Sequence, residues 1–228
     1  MSGPGSAAPE ALGLTQLPLF PLQTVLFPDG HLSLRIFEVR YLDMIGRCHK
    51  AGAPFGVVTL TVGGEVQRRD PRAEPGSDAY IKEVFYPHGV LAHIQTLEKP
   101  QPGLYAIRCQ GQQRFEVLRR TRLPHGLWVG DVKLLPPDTK VPVPEELASV
   151  PVRLQRVIKR LSERQPGAAD QLPMQPPFLW NDAGWVANRW SELLPASVEL
   201  KQRLMTLDSP LMRLELIEDL LDRMGLDP

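Results

Sequence analysis

Hydrophobic and polar positions along this chain follow two different periods. Up to about Leu135 the apolar residues come in short runs with a two-residue alternation, the mark of half-buried strands. Leu32, Leu34 and Ile36 alternate with His31, Ser33 and Arg35, so the count places Arg35 outward if the other three face a core. Immediately after, Val39, Leu42, Met44, Ile45 and Cys48 fall near helical spacing, which predicts a short helix. The segment 54–62 is β-branched and apolar and ends at Gly63 and Gly64. Runs at 79–85, 90–97, 104–109, 113–121 and 127–135 follow as further strands, separated by turn signals at Pro87 and Gly89, at Pro100 to Gly103, at Gly111, and at Pro124 to Gly126. Many short strands at this spacing predict an antiparallel barrel or sandwich.

Beyond Leu135 the period turns helical. Residues 137–144 are rich in proline and read as a stiff connector between a β subdomain at 17–136 and a helical subdomain at 145–228. Val150, Leu154, Val157, Ile158 and Leu161 form one helix face, and Trp185, Val186, Trp190, Leu193 and Leu194 form a second. Ser197 opens a third helix running to about Leu207. The last has Asp208 or Ser209 as cap, Pro210 at its first position, Leu211, Leu214, Ile217, Leu220 and Leu221 as its apolar face, and Gly225 as its stop. Residues 1–16 are small and rich in Pro, Gly and Ala, and read as a disordered leader; 68–78 is polar, aperiodic and read as a surface loop.

Three motifs carry a resemblance. The stretch 17–28, LPLFPLQTVLFP, followed at 32–41 by LSLRIFEVRY, is similar to the opening of the Lon N-terminal, or substrate-binding, domain family, and 17–28 reads as a proline-punctuated opening loop. The segment 111–117, GQQRFEV, is similar to the family's G-x-x-R strand, and 200–221 resembles its helical end. The resemblance spans about residues 14–224 and implies an α+β fold, a PUA-like antiparallel β pseudo-barrel followed by a C-terminal helical bundle. In the full protease an ATPase module and a Ser–Lys proteolytic module follow this domain. No lysine in this chain is preceded by glycine, so a GxxxxGK[ST] phosphate loop does not occur. The expectation is a standalone protein resembling the substrate-binding domain alone.

Composition narrows the remaining classes. The 228 residues are 43% hydrophobic, enough for a substantial core, and 26 basic residues balance 26 acidic ones. A neutral chain disfavours nucleic acid or an anionic membrane as partner. Two cysteines make no disulfide scaffold, and no secretory signal or run of about 20 apolar residues is present, so a cytoplasmic location is expected. The five histidines form no ligand set, so neither metal nor cofactor is expected. None of the nine serines lies in a GxSxG, and Cys109 has no flanking base.

The sharpest polar signal is the segment 36–41, IFEVRY. In one reading Glu38, Arg40 and Arg114 tie the barrel together through ion pairs; in the other, Arg35, Arg40 and Tyr41 line a cleft that grips an extended peptide. Arg35, Glu38, Arg40, Tyr41 and Arg114 are therefore the candidate peptide-binding set. Arg153, Arg156, Arg160 and Arg164 form a stripe, read as the solvated face of a helix or as a contact for an acidic partner. Phe178, Leu179 and Trp180 read as a plug over the helical core or as an exposed anchor. The function these readings favour is recognition of unfolded or extended polypeptide without chemistry, working with a protease or a chaperone as partner. Its rivals are a PUA-like RNA-binding module and a hydrolase with an unrecognised site.

Overall fold

One strand organises the sheet. The computed structural model of the protein describes residues 13–66, 82–164 and 174–225. Its strands are β1 (Gly13–Leu22), β2 (His31–Ile36), β3 (Phe55–Val62), β4 (Val84–Gln101), β5 (Leu104–Arg122) and β6 (Trp128–Leu134), with α1 (Val39–Ala51) between β2 and β3. β5 is 19 residues long. One of its edges is filled by β4; β2 pairs with its first half (Leu32 opposite Cys109) and β6 with its second (Val117 opposite Val132). The order β2-β5-β4-β3-β1-β6 thus closes through β6 back to β5, leaving β2 on the outside of a five-stranded ring. All pairings are antiparallel except β1 with β3, and the helix α1 makes the crossover that a parallel pair requires.

The α+β class and the barrel agree with the sequence reading, but several boundaries do not. The opening segment is a strand rather than a loop, and it takes in residues 13–16, which had been assigned to the leader. Its prolines are tolerated because each has a neighbour on one side only. Pro18 faces Val129 of β6 before pairing to β3 begins, and Pro21 faces Val58 of β3 after pairing to β6 has ended. The turn expected at Pro87 is a bulge within one continuous β4: the register to β3 shifts between Val58 and Leu60, and the β5 pairing starts at His88. Gly111 is likewise no turn but an interior residue of β5, opposite Ala92. The segment 68–78 lies outside the described residues.

Gly111 is glycine for lack of space. Its amide donates to the Gly30 carbonyl at 2.7 Å, and its own carbonyl accepts from the Asp29 amide at 2.9 Å. A Cβ on Gly111 would overlap the Phe27 carbonyl oxygen. The β1–β2 turn, where Asp29 adopts φ 59°, is therefore pinned to the middle of β5.

After a single 3-10 turn at Glu145–Leu147 come α2 (Ser149–Arg164), α3 (Ala183–Leu193), α4 (Val198–Thr206) and α5 (Pro210–Arg223). Ser197 and Ser209 accept the amides of Leu200 and Met212 as caps, and Pro210 opens α5 as expected. Asp182 caps α3 through the Trp185 amide at 2.9 Å. Leu17, Leu19, Val58, Phe85, Leu91, Phe115 and Val132 fill the ring. A second, larger core is shared: Phe27 of the β1–β2 turn and Ile36, Ile94, Ile107 and Cys109 from the strands pack with Met44 and Ile45 of α1 and with Leu154, Trp185, Trp190 and Leu214 of the helices. Phe178 stacks on Trp180 at 5.0 Å and Trp180 meets Trp185 edge-on at 5.2 Å, so this connector covers the helical core. Arg153, first of the arginine stripe, reaches Asp222 of α5 at 2.8 Å.

Buried arginines cross the seam between strands and helices. On β5, Arg114 meets the connector's Asp138 at 3.1 Å and donates to the Met205 carbonyl at 3.2 Å. On α5, Arg213 meets the other oxygen of Asp138 at 2.6 Å and Asn188 of α3 at 2.7 Å, and also donates to the Leu207 carbonyl. Arg189 of α3 donates to the Pro28 carbonyl at 2.6 Å and to Glu192 at 3.0 Å. Burial pushes the Glu192 carboxyl up to about 7, with Arg189 and Lys201 opposing the rise.

Two outcomes follow from this packing. Gly111→Ala forces either β5 or the β1–β2 turn to move, and is expected to cost about 2–4 kcal/mol, read as a lower denaturant midpoint; an unchanged midpoint would show that the turn is not pinned. For Glu192 the folded pKa stands above the unfolded one, so its stabilising contribution is full below pH 4.5 and is lost as pH rises through about 7. Glu192→Gln keeps the acceptor for Arg189 and is expected to flatten the fall in melting temperature between pH 5 and pH 8, a range of about 1–3 kcal/mol in the parent. Equal slopes in the two proteins would contradict this.

Candidate functional site

The β2–α1 junction gathers four of the five residues singled out in the sequence. Glu38 is the N-cap residue of α1 by backbone conformation, but its side chain makes no capping bond. It turns instead to Arg40, meeting Nε at 3.1 Å. Each nitrogen of the Arg40 guanidinium has a partner: beside the Nε contact, Nη2 meets Glu83 at 3.1 Å and Nη1 donates to the Gly126 carbonyl at 2.8 Å. Glu83 in turn accepts from the Trp128 indole at 2.7 Å. Burial works against the Arg40 charge, yet Tyr41, Glu83 and Glu38 outweigh it and raise the pKa. Arg40 also lies over the Tyr41 ring, 4.4 Å from its centroid, and that ring stacks on Phe20 at 4.0 Å. Burial raises the Tyr41 pKa as well.

Arg40 and Tyr41 are thus internal, at 5% and 2% exposure. Arg114 is equally internal, and its partners, Asp138, Asp208 and Met205, put it in the seam rather than at this junction. Arg35 alone is exposed, as the alternation predicts. Glu83, Gly126 and Trp128 complete the junction without having been marked in the sequence. Glu83 and Gly126 lie 43 and 86 positions from Arg40, and no local pattern links such separations.

What the junction offers outward is an apolar floor inside a mixed rim. Arg35, Phe37, Glu38, Glu65 and Val66 rim a notch of about 70 Å³ floored by Phe20, Leu22, Leu34, Ile36 and Tyr41. Phe37 is 57% exposed and Val39 74%. Glu65 is held in place by the Gln23 amide at 2.7 Å. The notch adjoins β2, which ends the sheet order and has a partner only on its β5 side among the described residues. Two further clefts flank the Asp29 turn, of about 470 Å³ and 280 Å³, both bordered by Leu179 and Trp185. Neither was marked in the sequence, because each takes its lining from both subdomains.

Nucleophilic chemistry finds no support in the thiols. Burial pushes Cys109 up to about 12 and also raises Cys48, so neither ionises readily.

Residues 16–223 match the family model of the ATP-dependent protease La (LON) substrate-binding domain. The chain belongs to this family. Among solved structures, the Lon N-terminal domain protein from Xanthomonas campestris is 29% identical with a TM-score of 0.63, covering 90% of this chain and 98% of that one. The N-terminal domain of the Lon protease of the Mycobacterium avium complex shares the fold at 16% identity, with a TM-score of 0.52 and coverage of 90% and 96%. No curated protein sequence matches. No helix among the described residues is long and apolar enough to cross a membrane.

The burial of Arg40 sets its mutational outcome. Arg40→Ala leaves Glu83 buried and short of its cation, and is expected to cost about 3–5 kcal/mol in chemical denaturation. A loss under about 0.5 kcal/mol, the range of ordinary surface changes, would place Arg40 in a binding role instead.

Proposed function

We propose that this Lon substrate-binding domain recognises extended or unfolded polypeptide without chemistry, at the free edge of β2 beside the Phe37 notch. The observation that carries the reading is that, among the described residues, β2 is paired on one side only, next to an apolar notch with an exposed aromatic at its rim. An extended segment can add to such an edge through main-chain hydrogen bonds, while a side chain of the segment enters the notch. The rim carries Arg35 with Glu38 and Glu65, and Arg35, the exposed member of the candidate set, contacts the segment directly. Arg40, Tyr41 and Arg114 act at one remove, by holding β2, α1 and the seam in place. The ligand class is supported by the family's description, which names a substrate-binding domain of a protease; on this reading the partner is a protease or a chaperone.

The RNA-binding alternative fits less well. Its strongest basic run, Arg119, Arg120 and Arg122, is partly spent, since Arg120 lies 4.6 Å over the Phe85 ring and donates to the Phe85 carbonyl.

Binding of a fluorescently labelled, permanently unfolded protein with blocked chain ends tests the reading by anisotropy. Phe37→Ser and Arg35→Ala are each expected to weaken binding about 5- to 30-fold, as for truncated interface anchors, while stability stays within about 0.5 kcal/mol. Unchanged binding in both variants would remove β2 as the site. Destabilisation by Arg35→Ala would instead show that this side chain is part of the scaffold.

A further inference from the structure

We propose that the 470 Å³ cleft over the outer face of β2, β5 and β4 binds a carboxylate joined to an apolar group, met either as a polypeptide C terminus or as a free small acid. This site is separate from the β2 edge and does not depend on it.

The cleft has the volume of a small-ligand pocket and lies where two subdomains meet, the common place for one. Its floor is polar. Arg108 of β5 lies between Ile107 and Cys109, which are buried on the opposite face, and stands opposite Ser33 of β2 and Thr96 of β4. Beside it His31, Gln95 and Gln110 form a row, with Gln95 donating to Gln110 at 3.1 Å. Its far wall is apolar: Pro176, Pro177, Leu179 and Trp185.

Arg108 is the feature that calls for a ligand. Four other cations near the seam are engaged: Arg189 by Pro28 and Glu192, Arg114 and Arg213 by Asp138, Lys201 by the Glu192 carbonyl. Among the described residues the Arg108 side chain has neither an ion pair nor a hydrogen bond, although the residue is half-buried. A guanidinium is a planar fork that matches a carboxylate with two parallel hydrogen bonds.

The local field has the right sign. The His31 pKa is lowered chiefly by burial and next by Arg189, with Arg108 adding to the fall; the Gln95 hydrogen bond and the Asp29 charge oppose it. The cations therefore prevail over the single anion at the rim. Asp29 still argues for a singly charged ligand. One free guanidinium beside a neutral imidazole suits a carboxylate, whereas a phosphate dianion would add repulsion from Asp29 without a second free cation to offset it.

The test is an NMR titration of the full chain, following the Trp185 indole and Arg108 Nε–H signals. Three probes are used: the tripeptide Ala-Ala-Leu with a free C terminus, the same tripeptide amidated, and hexanoate. The amide is expected to bind at least about tenfold more weakly than the free acid, as for loss of a charge-assisted hydrogen bond. Arg108→Gln is expected to erase that difference with no change in melting temperature. Binding of the free tripeptide identifies chain ends as the source; binding of hexanoate alone identifies small acids. The proposal is overturned by equal binding of acid and amide, by discrimination that survives Arg108→Gln, or by the absence of shifts for both acids up to about 10 mM, a standard free energy of only about −2.7 kcal/mol. Capture of end-blocked unfolded protein at β2 should be the same in Arg108→Gln, so failure of one site is separable from failure of the other.

Discussion

Two arginines and one aspartate hold the molecule in register. Asp138 sits in the connector between strands and helices, and its two oxygens are shared between Arg114 of β5 and Arg213 of α5. Taking such charges out of water costs several kcal/mol each, so the arrangement persists only where every donor finds an acceptor in good geometry. Here the main-chain carbonyls of Met205 and Leu207 and the side chain of Asn188 supply most of what the carboxylate cannot. The barrel, the connector and three helices must all be in place before the charges are satisfied. The proline-rich connector reads as stiff in the sequence, and because it carries Asp138 it is a fixed strut.

The division of the core explains why this strut is needed. The ring is small, and seven buried residues line its interior. Most of the apolar surface of β2, β4 and β5 lies outside it and is covered by α1 and the C-terminal helices. Neither part has a complete core alone, because each buries its larger apolar face on the other. The Gly111 contact with the β1–β2 turn and the Arg189 bond to Pro28 fix the same seam from the strand side.

The open surfaces appear where this closure stops. The ring removes strand edges from β1, β3, β4 and β6 over their paired lengths, but β2 lies outside it and, among the described residues, has one edge unpaired. The Arg40 cluster stiffens the turn from β2 into α1, so the open edge and the exposed Phe37 are presented on a rigid base. The cleft beside Arg108 arises differently: the segment leading into α3, together with Trp185 of α3, overhangs the polar face of the sheet without covering it. Both surfaces are carried on parts of the fold that the buried ion pairs hold still.

Local order was written in the chain. The alternation through Leu32, Leu34 and Ile36 placed Arg35 outward, Ser197, Ser209 and Pro210 marked helix starts, and three motifs in series pointed to the family, because these signals depend on neighbours a few positions apart. Signals of the same kind misled at Pro18, Pro87 and Gly111. A proline or glycine reads as a break unless the ladder beside it is known, and those ladders come from partners far along the chain. The fate of Arg40 and Arg114 was open for the same reason. A charged residue beside a strand end is scaffold or site according to whether a counter-charge is delivered to it, and Glu83 and Asp138 are delivered only by the closed barrel and the docked helices. The 3.6- and 2-residue periods act within one element and survive in the sequence; burial, charge pairing and clefts are properties of two or more elements meeting, and only the tertiary structure decided them.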